Sequence, residues 1–176
     1  MKIAAISGSL RAGSSNTAVL RAAARLAPAG VEVVLFEGIA DLPFFNPDFD
    51  GDDVPASVGA MRALIGNVDG LLISSPEYAR GVAGVLKNAL DWLVGSHEFP
   101  DKPVALINTS PRATHALAAL TLTLETMSAR IATEACVNCR CSAAPGTSTA
   151  SPPILRWRSH CVWRWSALRH SSAARS

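Results

Sequence analysis

The chain has 176 residues, 49% hydrophobic and 17% charged, with a formal net charge of +2. That length fits one domain with a sizeable core, and the composition is too apolar for disorder. No apolar run is long enough to span a bilayer, and the start shows neither a signal-peptide core nor a cleavage site, so the expectation is a cytoplasmic protein with no membrane partner.

In chain order, residues 2–7 form a short apolar run stopped by Gly8, and a helical pattern follows at Val19, Leu20, Ala23 and Leu26, with Ser15 or Asn16 as cap. Val31 to Phe36 is a second apolar run, and residues 41–55, rich in Pro, Asp and Phe, read as a long loop. Leu71 to Ser75 is a third run, followed by a helical stripe from Val82 to Leu93 that stops before Gly95. Val104 to Asn108 is the fourth, followed by a stripe at Leu117, Leu120, Leu124 and Met127, and Ile131 to Val137 is a weaker fifth. Short continuous apolar runs suit strands buried on both faces, and their alternation with helical stripes predicts a parallel sheet between two helical layers.

Charge divides the chain. Residues 1–134 hold all fourteen acids and ten of the sixteen Lys and Arg, a balance of −4. Residues 135–176 hold six Arg and no acid, together with all four Cys and three of the four Trp.

Ligands of open parallel sheets bind outside the carboxyl ends of the strands, so the informative segments follow the first, third and fourth runs. The first, Gly8 to Asn16, joins a strand to a helix N-terminus, where free N–H groups and the helix dipole favour an anion. Ser9, Ser14, Ser15 and Asn16 add polar donors, and Arg11 adds a guanidinium suited to phosphate. Ser14 stands where a Walker A loop needs Lys, and Leu10 breaks a dinucleotide G-x-G-x-x-G fingerprint, which leaves a cradle for a single phosphate group. In the second segment, Pro76 stiffens the turn, Glu77 and Tyr78 follow it, and Gly81 and Gly84 permit close backbone approach. Trp92 reads as helix packing, and Lys87 with Asp91 as an exposed pair one helical turn apart.

Gly8-Ser9-Leu10-Arg11-x2-Ser14-x-Asn16, together with Pro76-Glu77-Tyr78-x5-Gly84-x-Leu86-Lys87-Asn88-Ala89-x-Asp91-Trp92, resembles the NAD(P)H-dependent FMN reductases of flavodoxin-like fold, a family that includes quinone, azo-dye and chromate reductases. The resemblance implies an α/β flavodoxin-like three-layer sandwich with a five-stranded parallel sheet of order 2-1-3-4-5, over a domain of residues 1–137. It implies FMN as cofactor and NAD(P)H as co-substrate. By the resemblance, Ser9, Arg11, Ser14 and Asn16 hold the FMN phosphate, with Ser15 beside them as a further cofactor-binding residue, Pro76, Glu77, Tyr78 and Gly81 lie against the isoalloxazine, and the third loop, Ser110-Pro111-Arg112, closes the flavin site. The implied mechanism is ping-pong: a nicotinamide delivers a hydride, leaves, and a small-molecule acceptor takes its place. Such chemistry belongs to the cofactor and needs no catalytic side chain. Residues 1–134 accordingly show no Ser-His-Asp or His/Cys constellation, and His97 and His115 read as surface residues. The family also implies a homodimer or tetramer, given an intact C-terminus. The chain departs from the pattern at Ala79, where Asn is usual, at Ala83, where Pro is common, and in the third loop, which lacks the usual glycines.

Family members end in a long amphipathic helix, whereas residues 138–176 show no helical stripe and read as an atypical basic tail that leaves that helix missing or replaced. A one-base shift of frame near Asn138 lets Cys139-Arg140-Cys141 be read as Leu-Pro-Leu, and residues 154–165 as a Leu-rich helix opened by Pro. Three rival readings remain at this point: an electron carrier of the same fold without its own nicotinamide reaction, a nucleic-acid- or membrane-binding module in which the basic tail takes up polyanions without a specific nucleic-acid partner, and a zinc site at Cys136, Cys139, Cys141, His160 and Cys161, whose spacing matches no standard pattern.

Overall fold

The computed structural model describes residues 1–51 and 53–138. The readings of the basic tail, of its frame, and of Cys139, Cys141, His160 and Cys161 lie outside the described residues. The elements are β1 (Lys2–Ser7), α1 (Ser15–Arg25), β2 (Glu32–Phe36), α2 (Ala56–Gly66), β3 (Gly70–Ser74), β4 (Glu77–Tyr78), β5 (Gly81–Val82), α3 (Gly84–Val94), β6 (Pro103–Asn108), α4 (Thr114–Thr126), β7 (Arg130–Ile131) and β8 (Val137–Asn138).

The central sheet runs β2-β1-β3-β6-β7, every pair parallel. β8 extends the fifth position, pairing Ile107 with Val137 and Asn108 with Asn138. The order is the expected 2-1-3-4-5, with the fifth strand broken in two by a 3-10 turn at Thr133–Ala135. Side chains alternate across each strand. Ile3, Ala5, Leu72, Ala105 and Ile107 face α1, packing with Val19, Leu20 and Ala23. Ala4, Ile6, Leu71, Ile73, Val104 and Leu106 face the opposite layer, where they meet the buried stripes of α2, α3 and α4.

Among its described residues, the long loop after β2 holds two short 3-10 turns, Gly38–Asp41 and Pro47–Phe49. Side chains of α2 and α3 hold it in place. Trp92 Nε1 and Asn88 Nδ2 both donate to the carbonyl of Pro43, at 2.8 and 2.9 Å, and Asn88 Oδ1 accepts from Phe45 N at 2.8 Å. Phe45 stands edge-on to Trp92 with ring centroids 5.0 Å apart. Arg62 Nη2 bonds Asp50 Oδ1 at 2.6 Å and the carbonyl of Trp92. Asn88 and Trp92 are thus strap points for the loop, and Trp92 is fully buried. Lys87 and Asp91 form the expected pair, at 2.5 Å.

Candidate functional site: a three-walled cleft at the carboxyl edge of the sheet

The loops after β1, β3 and β6 meet around one cleft of about 890 Å³, at the upper end of the usual range for small-ligand sites. Its position beside β1 and β3 is the topological switch point, where the chain leaves β1 for one edge and β3 for the other.

The first wall is the loop from Ser9 into α1. Ser14 is the N-cap: its Oγ accepts from Thr17 N at 3.3 Å, which leaves the hydroxyl proton to donate. Ser15 and Asn16 are the first residues of the helix, and their N–H groups have no carbonyl one turn earlier to bond. The first turn holds no acid, so the positive end of the helix dipole is uncompensated. Ser9 and exposed Arg11 complete this wall. Asn16 is 6% exposed. Its Oδ1 accepts from Ser74 Oγ at 2.8 Å and from Thr109 Oγ1 at 3.0 Å, which leaves Nδ2 as its group for a ligand.

The second wall comprises Ser75, Pro76, Glu77 and Tyr78. Glu77 and Tyr78 begin a short antiparallel hairpin, Glu77 opposite Val82 and Tyr78 opposite Gly81. The turn residues Ala79 and Arg80 both have positive φ, 49° and 60°. Gly81, expected against the flavin ring, instead lies outside the cleft lining, paired with Tyr78. Glu77 Oε2 accepts from Ala116 N at 2.9 Å, the third residue of α4. The residue before α4, Ala113, has no side-chain oxygen with which to cap it, so the carboxylate supplies that acceptor from another loop.

The third wall is the segment 109–113. Asn108 folds it: Oδ1 accepts from Ser110 N at 3.1 Å and Nδ2 donates to the carbonyl of Ala113 at 3.4 Å. Ser110, Pro111 and exposed Arg112 face the cleft.

Ten of the eleven candidates therefore share one cleft: Ser9, Arg11, Ser14, Ser15, Asn16, Pro76, Glu77, Tyr78, Ser110 and Arg112. Ser75, Thr109, Pro111 and Ala113 also line it; each adjoins a residue already singled out in the same segment. Electrostatically the lining carries two guanidiniums and one carboxylate. That carboxylate is bound to a helix N-terminus, and neither Arg11 nor Arg112 forms an ion pair among the described residues. The cleft favours an anion. FMN suits these residues: donors and positive charge sit on one wall for a phosphate, and Pro76 and Tyr78 offer apolar surface on another for a planar ring. His97 and His115 are exposed and stand outside the lining.

The parallel sheet, its two helical layers and this edge cleft define a flavodoxin-like protein. Residues 1–137 match the family described as NADPH-dependent FMN reductase, and the chain belongs to that family. It is 41% identical over 115 residues to a quinone reductase of Escherichia coli, across 62% of this chain and 60% of that protein. It is likewise 41% identical over 112 residues to an NAD(P)H-dependent FMN reductase of Pseudomonas aeruginosa, with the same coverage. These alignments span about 60% of the length of the relatives. Among solved structures, the flavoenzyme NAD(P)H:(acceptor) oxidoreductase FerB of Paracoccus denitrificans superposes with a TM-score of 0.76 at 26% identity, covering 98% of this chain and 97% of that one. No helix among the described residues is long and apolar enough to cross a membrane.

Proposed function

We propose that the chain is an FMN-dependent oxidoreductase that takes a hydride from NAD(P)H and delivers it to a small acceptor such as a quinone, in two half-reactions at the same cleft. The observation that carries the reading is the cleft itself: an anion cradle of Arg11 and the α1 N-terminus on one wall, and an apolar turn at Pro76 and Tyr78 on the next. The two named relatives and FerB support it.

The redox chemistry is that of bound FMN, a hydride carrier between nicotinamide and acceptor. The work of the chain is placement. Ser9, Arg11, Ser14 and Ser15, with the first N–H groups of α1, hold the phosphate. Pro76 and Tyr78 form the wall for the ring, and Ser110 and Arg112 close the site from the third loop. With FMN bound, the second and third walls would cover the ring from their sides of the cleft, and nicotinamide and acceptor would reach it in turn through the mouth.

FMN should quench on binding, and riboflavin, lacking the phosphate, should bind far more weakly. Arg11→Ala should weaken FMN by about 1.5–3 kcal/mol, the scale of a charged hydrogen bond, and leave riboflavin unaffected. Equal affinity of the parent protein for the two flavins overturns the phosphate assignment. Parallel double-reciprocal lines for NAD(P)H and quinone are expected, and intersecting lines overturn the shared cleft.

A further inference from the structure

We infer that Glu77 is a positioning residue. By holding the N-terminus of α4, its carboxylate fixes the β4–β5 hairpin, and so sets the width of the slot that receives the planar ring. The inference rests on the FMN reading above.

The hairpin has little means of fixing itself. It consists of two residue pairs, Glu77 with Val82 and Tyr78 with Gly81, and a two-stranded ribbon even several times longer is marginal alone. Its turn, Ala79 and Arg80, lacks the glycine or asparagine that positive φ favours. Val82 packs against the main core and both strands lie against α4, but such contact is non-directional. The bond from Ala116 N to Glu77 Oε2, at 2.9 Å, is directional and joins a carboxylate to the positive end of a helix dipole.

One partner of this bond lines the cleft, and the other lies in the helix that continues its third wall. Glu77 lies between Pro76 and Tyr78, which line it. Ala116 is in the first turn of α4, directly after segment 109–113, whose ends are tied by Asn108. The first and third walls are joined separately, by Asn16 and Thr109. Glu77 ties the second wall to α4, the helix that continues the third. Since Oε2 is occupied by α4, the main effect of Glu77 on a ring is exerted through Pro76 and Tyr78.

The test compares the parent protein with Glu77→Ala and Glu77→Gln. It reads dissociation constants for FMN and for riboflavin, the absorption spectrum of bound flavin, and the exchange rate of the Ala116 amide. The glutamine carbonyl still accepts from Ala116 N, so it separates the hydrogen bond from the charge. Glu77→Ala should weaken FMN and riboflavin by the same factor, about tenfold or more, and blur the structured absorption band of a ring held between two walls. Glu77→Gln should restore affinity to within about threefold and recover the band. In the parent protein the Ala116 amide should exchange slowly, which is measurable even if Glu77→Ala does not fold. The inference is overturned by unchanged affinities in Glu77→Ala, by a loss confined to FMN, by a glutamine variant as poor as alanine, or by fast exchange at Ala116. Failure of the parent protein to bind FMN at all overturns the functional reading, and the inference with it.

Discussion

Asn16 Oδ1 lies 3.0 Å from Thr109 Oγ1, 93 positions further along the chain. The same oxygen lies 2.8 Å from Ser74 Oγ, which is also 2.8 Å from the carbonyl of Ile107. One amide oxygen thus ties the start of α1, at the proposed phosphate cradle, to the ends of β3 and β6.

Asn16→Ala should cost about 1–3 kcal/mol, because Thr109 loses its acceptor in a buried setting and Ser74 keeps only Ile107. Asn16→Asp keeps the acceptor and should lose less stability. It places a negative charge in the first turn of α1, however, and should weaken FMN more than riboflavin. Urea denaturation and the ratio of the two flavin affinities check both signs.

Gly8 is required by close approach rather than by a left-handed backbone. A Cβ placed there would lie 2.5 Å from Ser75 Oγ, 2.9 Å from Ser75 Cβ and 3.2 Å from Leu86 Cβ. Gly8→Ala should therefore destabilise by about 1–3 kcal/mol, the usual cost of overpacking. It should also displace Ser75, a lining residue, so that flavin affinity falls in variant protein that remains folded, as equilibrium titration will show.

The turn of the β4–β5 hairpin runs in the opposite direction, towards a gain. Ala79 and Arg80 occupy the two positive-φ positions of a two-residue turn, where Asn-Gly is preferred. Replacing both, by Ala79→Asn with Arg80→Gly, should stabilise the chain by about 1 kcal/mol. A higher denaturation midpoint is the expected result. An Asn after Tyr78, the residue that the resemblance leads one to expect there, thus has a conformational reason visible in this chain.

Arg62 and Asp50 are 14% and 16% exposed and 2.6 Å apart. Arg62→Ala should cost about 1–3 kcal/mol, since it strands a largely buried carboxylate and removes a donor to the carbonyl of Trp92. The loop from residue 43 to 50 should become sensitive to protease, and limited digestion followed by mass mapping will locate the cut.

The strands were legible because each of the first four is a compact apolar run, and their alternation with helices yields the parallel order. The fifth was legible only as a position. Its interruption at Thr133–Ala135, where Ala132 and Ala135 pack on the α1 side of the sheet, carries no Gly, Pro, Asn or Asp that would announce it in the pattern. α2 went unread because it starts after Pro55 without a side-chain cap and carries Gly59 within it. The hairpin at Glu77–Val82 was hidden because Ala79-Arg80 carries none of the residues that announce a tight turn. The three loops of the cleft were legible from motif and strand end. The hidden part was division of labour: Asn16 and Glu77 look like ligand-binding residues in sequence, yet their side-chain oxygens bond residues 58 and 93 positions away for Asn16 and 39 for Glu77.

The break in the fifth strand bears on how the sheet breathes. Between the two short pairings of β6, with β7 and with β8, Leu106 N donates to Cys136 Sγ at 3.3 Å. A thiol is a poor acceptor beside a carbonyl, so the outer rung of the ladder at Leu106 is softer than its counterparts between β1 and β3. Native-state amide exchange should find Leu106 opening at lower free energy than Ile73, on the strand directly beside it. Sub-global opening of this sheet should then begin at its outer side, and the amides of the β1–β3 pair should be the last to exchange.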